Sequence, residues 1–197
     1  MTALEGEYRR LAAAHRAATR WFTARSCIPA SVTRVFAAGT KADLVPLLAR
    51  LPVDELPGLA DEAAYRAWFT RQLDFVAATI LRLNPPAVRP GIHPGYRWGH
   101  ATKVLALYVR DLVLFSRYYT DVEVEQIAPW LYCPVDSVVM KRLRELGERP
   151  GISQISGIDS PQRFWRIQDL LGAAAAAAGV PRVWFDDNWG DRDRDAT

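Results

Sequence analysis

The stretch "WGHATKVLALYVR", residues 98–110, decides the fold of this chain. After its first turn it is almost entirely apolar, so it predicts a helix, over about residues 101–117, that is buried at the centre of the molecule. The stretch also carries Lys103 near its start. The chain has 22 arginines and only three lysines. A lysine at the head of the most hydrophobic helix therefore calls for a chemical reason.

The remainder of the chain also has a helical period. Residues 61–83 place seven large apolar side chains on one face after Asp61, which suits a helix N-cap. Asp136 and Ser160-Pro161 are two further helix start signals, and Gly147 and Gly179 are stop signals. No useful strand alternation is present. We expect an all-α fold of about six to eight helices, as a single helical domain over 1–197 or as two lobes of it with a cleft.

Two other segments complete this expectation. Residues 4–24 place Tyr8, Leu11, Ala12, His15, Ala18 and Phe22 on one helical face, which predicts a packed or half-buried His15. Residues 28–60 contain Pro29, Pro46, Pro52 and Pro57, which predict short helices broken at the prolines. Residues 84–99 hold four prolines and three glycines, so no regular element is expected there.

Composition narrows the function classes. The net charge of +3 is compatible with a nucleic-acid partner without requiring one. Two cysteines, Cys27 and Cys133, are too few for a four-cysteine iron–sulfur cluster or zinc site, and the simplest interpretation is two free thiols, with one disulfide as the alternative. The three histidines form no i, i+4 ligand pair. We expect a cytoplasmic monomer with no metal, no cofactor and no membrane span.

Lys103 has the chemistry of a candidate nucleophile. A lysine attacks only as the neutral amine, and burial against apolar neighbours disfavours its charged form. Arginine cannot serve, because its guanidinium stays protonated. The structural alternative is a lysine whose stem packs while its ammonium reaches water.

Asp136 lies in "LYCPVDSVVM", residues 131–140, and stands where a helix N-cap belongs. A capping aspartate in a cleft can also aim its second oxygen at a substrate. A helix over 101–117 is about 25 Å long, and the 16 residues from 118 to 133 can span about 50 Å. The chain can therefore return and set Asp136 beside Lys103.

The combination of "GHATK", an apolar helix and "PVDS" resembles the catalytic segment of the helix-hairpin-helix superfamily of DNA glycosylases. The 33-residue separation of the lysine and the aspartate is most similar to the archaeal 8-oxoguanine branch, and the resemblance covers residues 97–147. It implies that Lys103 is the nucleophile of a glycosylase and AP lyase, and that Asp136 activates it. The implied substrate is double-stranded DNA with a damaged or modified base, which must be flipped out of the stack.

The resemblance also implies two groups of binding residues. Backbone amides near Arg97, Trp98, Gly99 and His100 would face a DNA phosphate. Pockets of this family stack the base on an aromatic ring and read its edge with polar groups. Trp165, Gln168, Asp169 and Trp21 are the candidates for that role, although Trp165 also fits a core position and Gln168 and Asp169 fit a solvent-facing one.

Two other functions fit the same residues. The first is a nucleic-acid-binding module without chemistry, in which Lys103 contacts phosphate and Asp136 only caps its helix. The second is a helical interaction protein with a groove lined by tryptophans. Within the enzyme hypothesis, a free nucleoside could replace DNA as the substrate.

Overall fold

The computed structural model describes residues 3–84 and 96–189, and the regular elements in these ranges are all helical. The α-helices are α1 (Ala3–Cys27), α2 (Ala30–Thr33), α3 (Thr40–Ala49), α4 (Glu62–Leu83), α5 (Tyr96–Leu114), α6 (Asp121–Ile127), α7 (Ser137–Glu145), α8 (Pro161–Ala178) and α9 (Trp184–Trp189). Short 3-10 turns occupy Val53–Gly58, Ala128–Trp130 and Ile155–Gly157. Eight of the described α-helices exceed a single turn, which confirms the predicted all-α fold. None of them is both long and apolar enough to cross a bilayer.

Helix α5 is the central element, as its apolar sequence predicts. Val104, Leu105, Tyr108 and Leu112 are completely buried, and α5 packs against α1 and α4. Each such side chain contributes about 1.5–3 kcal/mol when removed from water. The predicted bounds were wrong, because α5 begins at 96 rather than 101 and ends at 114 rather than 117. Lys103 therefore lies in the third turn of the helix and not in the first.

Helix α4 closely follows its prediction. Asp61 accepts a hydrogen bond from the backbone N–H of Ala64 at 2.8 Å and so caps the helix. The predicted inward residues Tyr65, Trp68, Phe69, Leu73, Val76 and Ile80 are all buried, whereas Leu83 is only partly buried. The 3.6-residue period was a sufficient signal here because the whole length of one face packs on the core.

The predicted start and stop signals of the later helices are confirmed. Asp136 caps α7 and Ser160 caps α8, each through a side-chain oxygen that accepts backbone N–H groups. Gly147 and Gly179 follow these two helices with φ of 85° and 67°. A left-handed residue suits glycine, which has no Cβ to clash with the preceding carbonyl.

Two predictions for the first 60 residues were wrong. Pro46 lies inside α3 instead of ending a helix. The predicted apolar face of α1 is exposed, including Tyr8, Leu11 and His15. This helix packs on the body through another face, on which Ala24 and Cys27 are buried.

The predicted pair of free thiols is confirmed. Cys27 and Cys133 are both reduced and buried. Burial raises the pKa of each thiol above its ordinary value, so neither is a reactive thiolate near neutral pH.

Candidate active site

The structure brings Lys103 and Asp136 into direct contact. The Lys103 Nζ atom donates a hydrogen bond to Asp136 Oδ2 over 2.9 Å. The Lys103 side chain is 12% exposed and that of Asp136 is 28% exposed. The pair therefore lies at the edge of the core, where solvent still reaches both charged groups.

The two carboxylate oxygens of Asp136 have different partners. Oδ1 accepts the backbone N–H groups of Val138 and Val139, at 2.8 and 3.1 Å, while Oδ2 accepts the Lys103 ammonium. Burial by itself would raise the pKa of Asp136, but the Lys103 charge and these hydrogen bonds outweigh it, so the pKa lies below the usual value. The N-terminus of α7 thus holds an ionised carboxylate in a fixed orientation beside the lysine.

A cavity of about 350 Å³ opens beside this pair. That volume lies near the lower end of the range for small-molecule sites. Its lining combines residues from four separate parts of the chain: Val32, Arg34, His100, Lys103, Asp136, Ser137, Gln154 and Ile155. Two of these side chains are cationic and Asp136 is the one carboxylate among them, so the cavity suits a ligand that carries negative charge.

The wall formed by the 3-10 turn at 155–157 depends on Gly99. A Cβ atom at Gly99 would meet the carbonyl oxygen of Ile155 at 1.9 Å, far inside van der Waals contact. Glycine is therefore required for α5 to approach this turn. The contact brings Gln154 and Ile155 to the cavity that holds Lys103.

The predicted DNA-backbone residues occupy different environments. His100 lines the cavity, is 3% exposed and packs edge-on against the Phe36 ring at 5.0 Å. Gly99 is buried against Ile155, and Trp98 is partly buried against the core. The side chain of Arg97 lies outside the described residues, as do all of residues 85–95. Of the three whose side-chain environment is described, the structure places only His100 at the cavity.

Gln168, a predicted base-pocket residue, instead binds the backbone. Its side-chain amide is fully buried, accepts the N–H of Cys133 at 3.1 Å and donates to the Cys133 carbonyl at 2.8 Å. These two hydrogen bonds tie α8 to the segment three residues before Asp136. Gln168 therefore holds the extended turn that delivers the aspartate, and it does not line the cavity.

The other predicted base-pocket residues also lie away from the cavity. Trp165 belongs to an aromatic cluster whose ring centroids are 4.8–6.1 Å apart. The cluster consists of Tyr65, Phe69, Tyr132, Phe164 and Trp165. Asp169 is exposed and pairs with Arg66 at 3.3 Å. Trp21 lines a groove between α1 and α3.

Five residues of the cavity were missed by the sequence analysis. Val32 and Arg34 come from α2 and the residue that ends it, Ser137 from the first turn of α7, and Gln154 and Ile155 from the loop after it. Apart from Ser137, which ends the quoted "PVDS", none stands in a motif. Only Ser137 had a signal, because it directly follows the candidate aspartate.

Within residues 3–84 and 96–189, no group of three or more histidine, cysteine, aspartate or glutamate side chains converges as a metal ion would require. The described residues that line the cavity supply an amine, a carboxylate, an imidazole, a guanidinium, a hydroxyl and a side-chain amide.

Comparison with known proteins gives little to identify the chain. No protein-family model matches it, and no solved structure matches it. It is similar to mouse galactocerebrosidase, with 24% identity over an alignment 135 residues long that covers 61% of this chain and 19% of that protein. The chain thus covers about a fifth of the length of this curated relative.

Proposed function

We propose that the protein is a lysine-dependent DNA glycosylase with AP-lyase activity, which removes a damaged or modified base such as 8-oxoguanine. The single observation that carries the proposal is the 2.9 Å contact between Lys103 Nζ and Asp136 Oδ2 at the wall of an open cavity. A buried structural ion pair has no need of adjacent empty volume. A nucleophile and its activating carboxylate require that volume, because the reacting carbon must enter it.

The proposed reaction uses both residues in sequence. Asp136 Oδ2 takes a proton from the Lys103 ammonium, and the free amine attacks C1′ of the nucleotide. The C1′–N bond breaks, and the base leaves with the bonding electrons and takes up a proton from Nζ. Opening of the C1′–O4′ bond, with the proton returned from Asp136 to O4′, leaves a protonated Schiff base between Nζ and C1′.

The lyase step follows from the Schiff base. The positive iminium acidifies the C2′–H, whose proton is removed by a base. The electrons form a C2′–C3′ double bond, and the C3′–O bond breaks to release the 3′ phosphate. The hydrogen bonds at the α7 N-terminus hold the Asp136 carboxyl in one orientation beside the sugar, where it keeps the Lys103 proton during the first step and returns it to O4′ on ring opening.

The other cavity residues fit a nucleotide substrate. Arg34 is exposed at the cavity, where a guanidinium can bind a phosphate oxygen. His100 and Gln154 bring groups that can hydrogen-bond to a base edge or a sugar hydroxyl. We therefore propose that these cavity residues bind the base, in place of the predicted residues Trp165, Gln168, Asp169 and Trp21.

A second function is favoured by a specific observation. Asp136 Oδ1 caps α7, which is a structural role that needs no chemistry. In a non-catalytic nucleic-acid-binding module, Lys103 would supply one positive charge toward phosphate, and an arginine could replace it. The two hypotheses therefore differ in the expected behaviour of Lys103→Arg.

We do not propose for this chain the activity that the name of the mouse relative indicates. The match is confined to 19% of that protein. Hydrolysis of a glycoside generally uses two carboxyl groups that flank the bond, whereas Asp136 is the one carboxylate among the described residues that line this cavity.

Borohydride trapping tests the proposal. The protein is incubated with a duplex that carries 8-oxoguanine, and separately with one that carries an abasic site, in the presence of sodium borohydride. Hydride reduces the iminium to a secondary amine and so links protein and DNA covalently. We expect an adduct with wild type and none with Lys103→Gln or Lys103→Arg.

Lys141→Gln is the matched control, because Lys141 is an exposed lysine on α7 that pairs only with Glu145 among the described contacts. It should retain the adduct. An adduct with the abasic duplex alone would keep the lyase chemistry and change the base. If wild type gave no adduct on either duplex while Lys103→Arg still bound DNA, the enzyme hypothesis would be overturned and the binding module would be favoured.

A further inference from the structure

The first half of α1 has an apolar surface that no other described part of the chain covers. Leu4, Tyr8 and Leu11 are 80%, 75% and 54% exposed, and Phe22 further along is 65% exposed. Each residue from 7 to 18 is exposed. A helical segment as short as this exposed one has only marginal stability in water by itself. A partner that buries its apolar side chains would therefore stabilise it substantially.

The spacing of these side chains is that of a coiled coil. The α1 seam, as we call it, consists of Leu4, Tyr8, Leu11, His15, Ala18 and Phe22. Its members are separated by alternating steps of four and three residues, which is the a/d pattern of a heptad repeat. This period of 3.5 residues is typical of a helix that packs along its length on another helix.

The seam faces away from the body of the protein. Arg16 and Arg20 pair with Asp54 of the body, and Ala24 and Cys27 are buried against it. At 3.6 residues per turn, the seam lies on average about 155° around the helix axis from this body-facing side. A second helix can therefore lie along all of the seam without meeting the body.

We propose that the occupant of the α1 seam is the α1 seam of a second copy of this chain, in antiparallel orientation. This inference is independent of the proposed enzyme, and it differs from the monomer expected from sequence. The antiparallel register in which residue numbers add to 26 pairs every seam member with another. Leu4 faces Phe22 of the second copy, Tyr8 faces Ala18, and Leu11 faces His15.

Side-chain size and the helix dipoles favour the antiparallel arrangement. Tyr8, a large side chain, meets the small Ala18, so the layer fills without a clash. A parallel pair would instead set Tyr8 against Tyr8 and His15 against His15. The antiparallel pair also opposes the two helix dipoles.

Sedimentation equilibrium tests the dimer. Over a range from micromolar to several hundred micromolar protein, we expect the mass to rise from the 22.1 kDa of one chain towards twice that value. Leu11→Glu places a charge in the seam and should keep the protein monomeric. Ala13→Glu places the same charge on the exposed opposite side of α1 and should leave association unchanged.

Cysteine cross-linking tests the orientation. The native thiols are buried and do not interfere. Tyr8→Cys/Ala18→Cys should form a disulfide-linked dimer under mild oxidation, whereas Tyr8→Cys alone should not, because its opposite residue is Ala18. A cross-link in the single variant would overturn the antiparallel orientation.

A wild-type protein that stays monomeric over the whole range would overturn the proposal and leave the seam to a different protein. Equal weakening of association by Leu11→Glu and Ala13→Glu would overturn the seam as the interface. Thermal melting at the lowest protein concentration, where wild type is also monomeric, should give one cooperative transition close to that of wild type for each variant, and it separates these results from loss of the fold.

Discussion

The cavity beside Lys103 is lined mainly by charged and polar side chains, whereas the cluster around Trp165 consists of aromatic rings, and the two regions differ in how they are packed. In the aromatic cluster, rings in edge and stacked contact fill the available space, and Phe164 is completely buried. Beside Lys103, charged side chains border about 350 Å³ that none of the described side chains fills. The difference teaches that a residue able to stack or hydrogen-bond becomes a candidate for function only where the packing leaves room for a ligand.

The largest expected effect is on activity at the cavity. Asp136→Asn keeps an oxygen that can cap α7 but removes the negative charge beside Lys103. If the proposed chemistry holds, the rate of Schiff-base formation should fall by about 10²–10⁴-fold, the range for loss of an acid–base group. Trapping at early times on an abasic duplex measures it. A rate within twofold of wild type would place Asp136 outside the chemistry.

The aromatic cluster should show the opposite response. Phe164→Ala removes a fully buried ring and should lower the free energy of unfolding by about 3–5 kcal/mol. Urea denaturation measures this loss. The trapping rate per folded molecule should remain close to that of wild type, because the ring does not border the cavity. A large loss of rate in the folded variant would break the distinction between the two regions.

Gln168 sharpens the comparison because it connects the two regions. Gln168→Leu leaves the Cys133 N–H and carbonyl buried without their partner, which should cost about 2–3 kcal/mol of stability. Asp169→Asn, next to it on an exposed position, is the control and should change stability by less than about 0.5 kcal/mol. If urea denaturation gave the same free energy of unfolding for both variants, the hydrogen bonds of the buried Gln168 amide would not be stabilising the contact between α8 and Cys133.

Substitution by alanine should lower the stability of the protein at Gly99 but not at Gly6. Gly99→Ala forces the turn at Ile155 to move and should cost about 1–3 kcal/mol. Gly6→Ala adds a methyl group in open space on α1 and should be neutral or stabilising by up to about 1 kcal/mol. Thermal denaturation of both variants measures the difference. A harmless Gly99→Ala would contradict the close approach of α5 to the turn.

The smallest expected effect is a pH dependence of stability. The pKa of Asp136 is lowered on folding, so its charge contributes stability that is fully present above the unfolded pKa of about 3.9. That contribution is lost as the pH falls through the lower folded pKa. The stability advantage of wild type over Asp136→Asn should therefore be constant near neutral pH and shrink below about pH 4. An advantage that grows on acidification would contradict the sign of the shift.

Local signals in the sequence determined most of the helices. Asp61, Asp136 and Ser160 cap the helices that they predict, and the apolar run of α5 forms the centre of the core. These features are readable because a cap or a periodic face involves residues that are close in the chain. The start of α5 was missed because the helix begins at Tyr96, inside the glycine- and proline-rich segment, where local propensity opposes it.

The sequence by itself also singled out Lys103 and Asp136, through residue type and neighbouring motifs. Only the tertiary structure decided that Nζ and Oδ2 meet, that Arg34 and Gln154 share their cavity, and that Gln168 faces a backbone instead of a substrate. Likewise, the heptad spacing of α1 did not indicate whether its apolar face lay inside or outside. The physical reason is common to all of these: burial depends on how separate helices pack, and residues far apart in the chain carry no local trace of that packing.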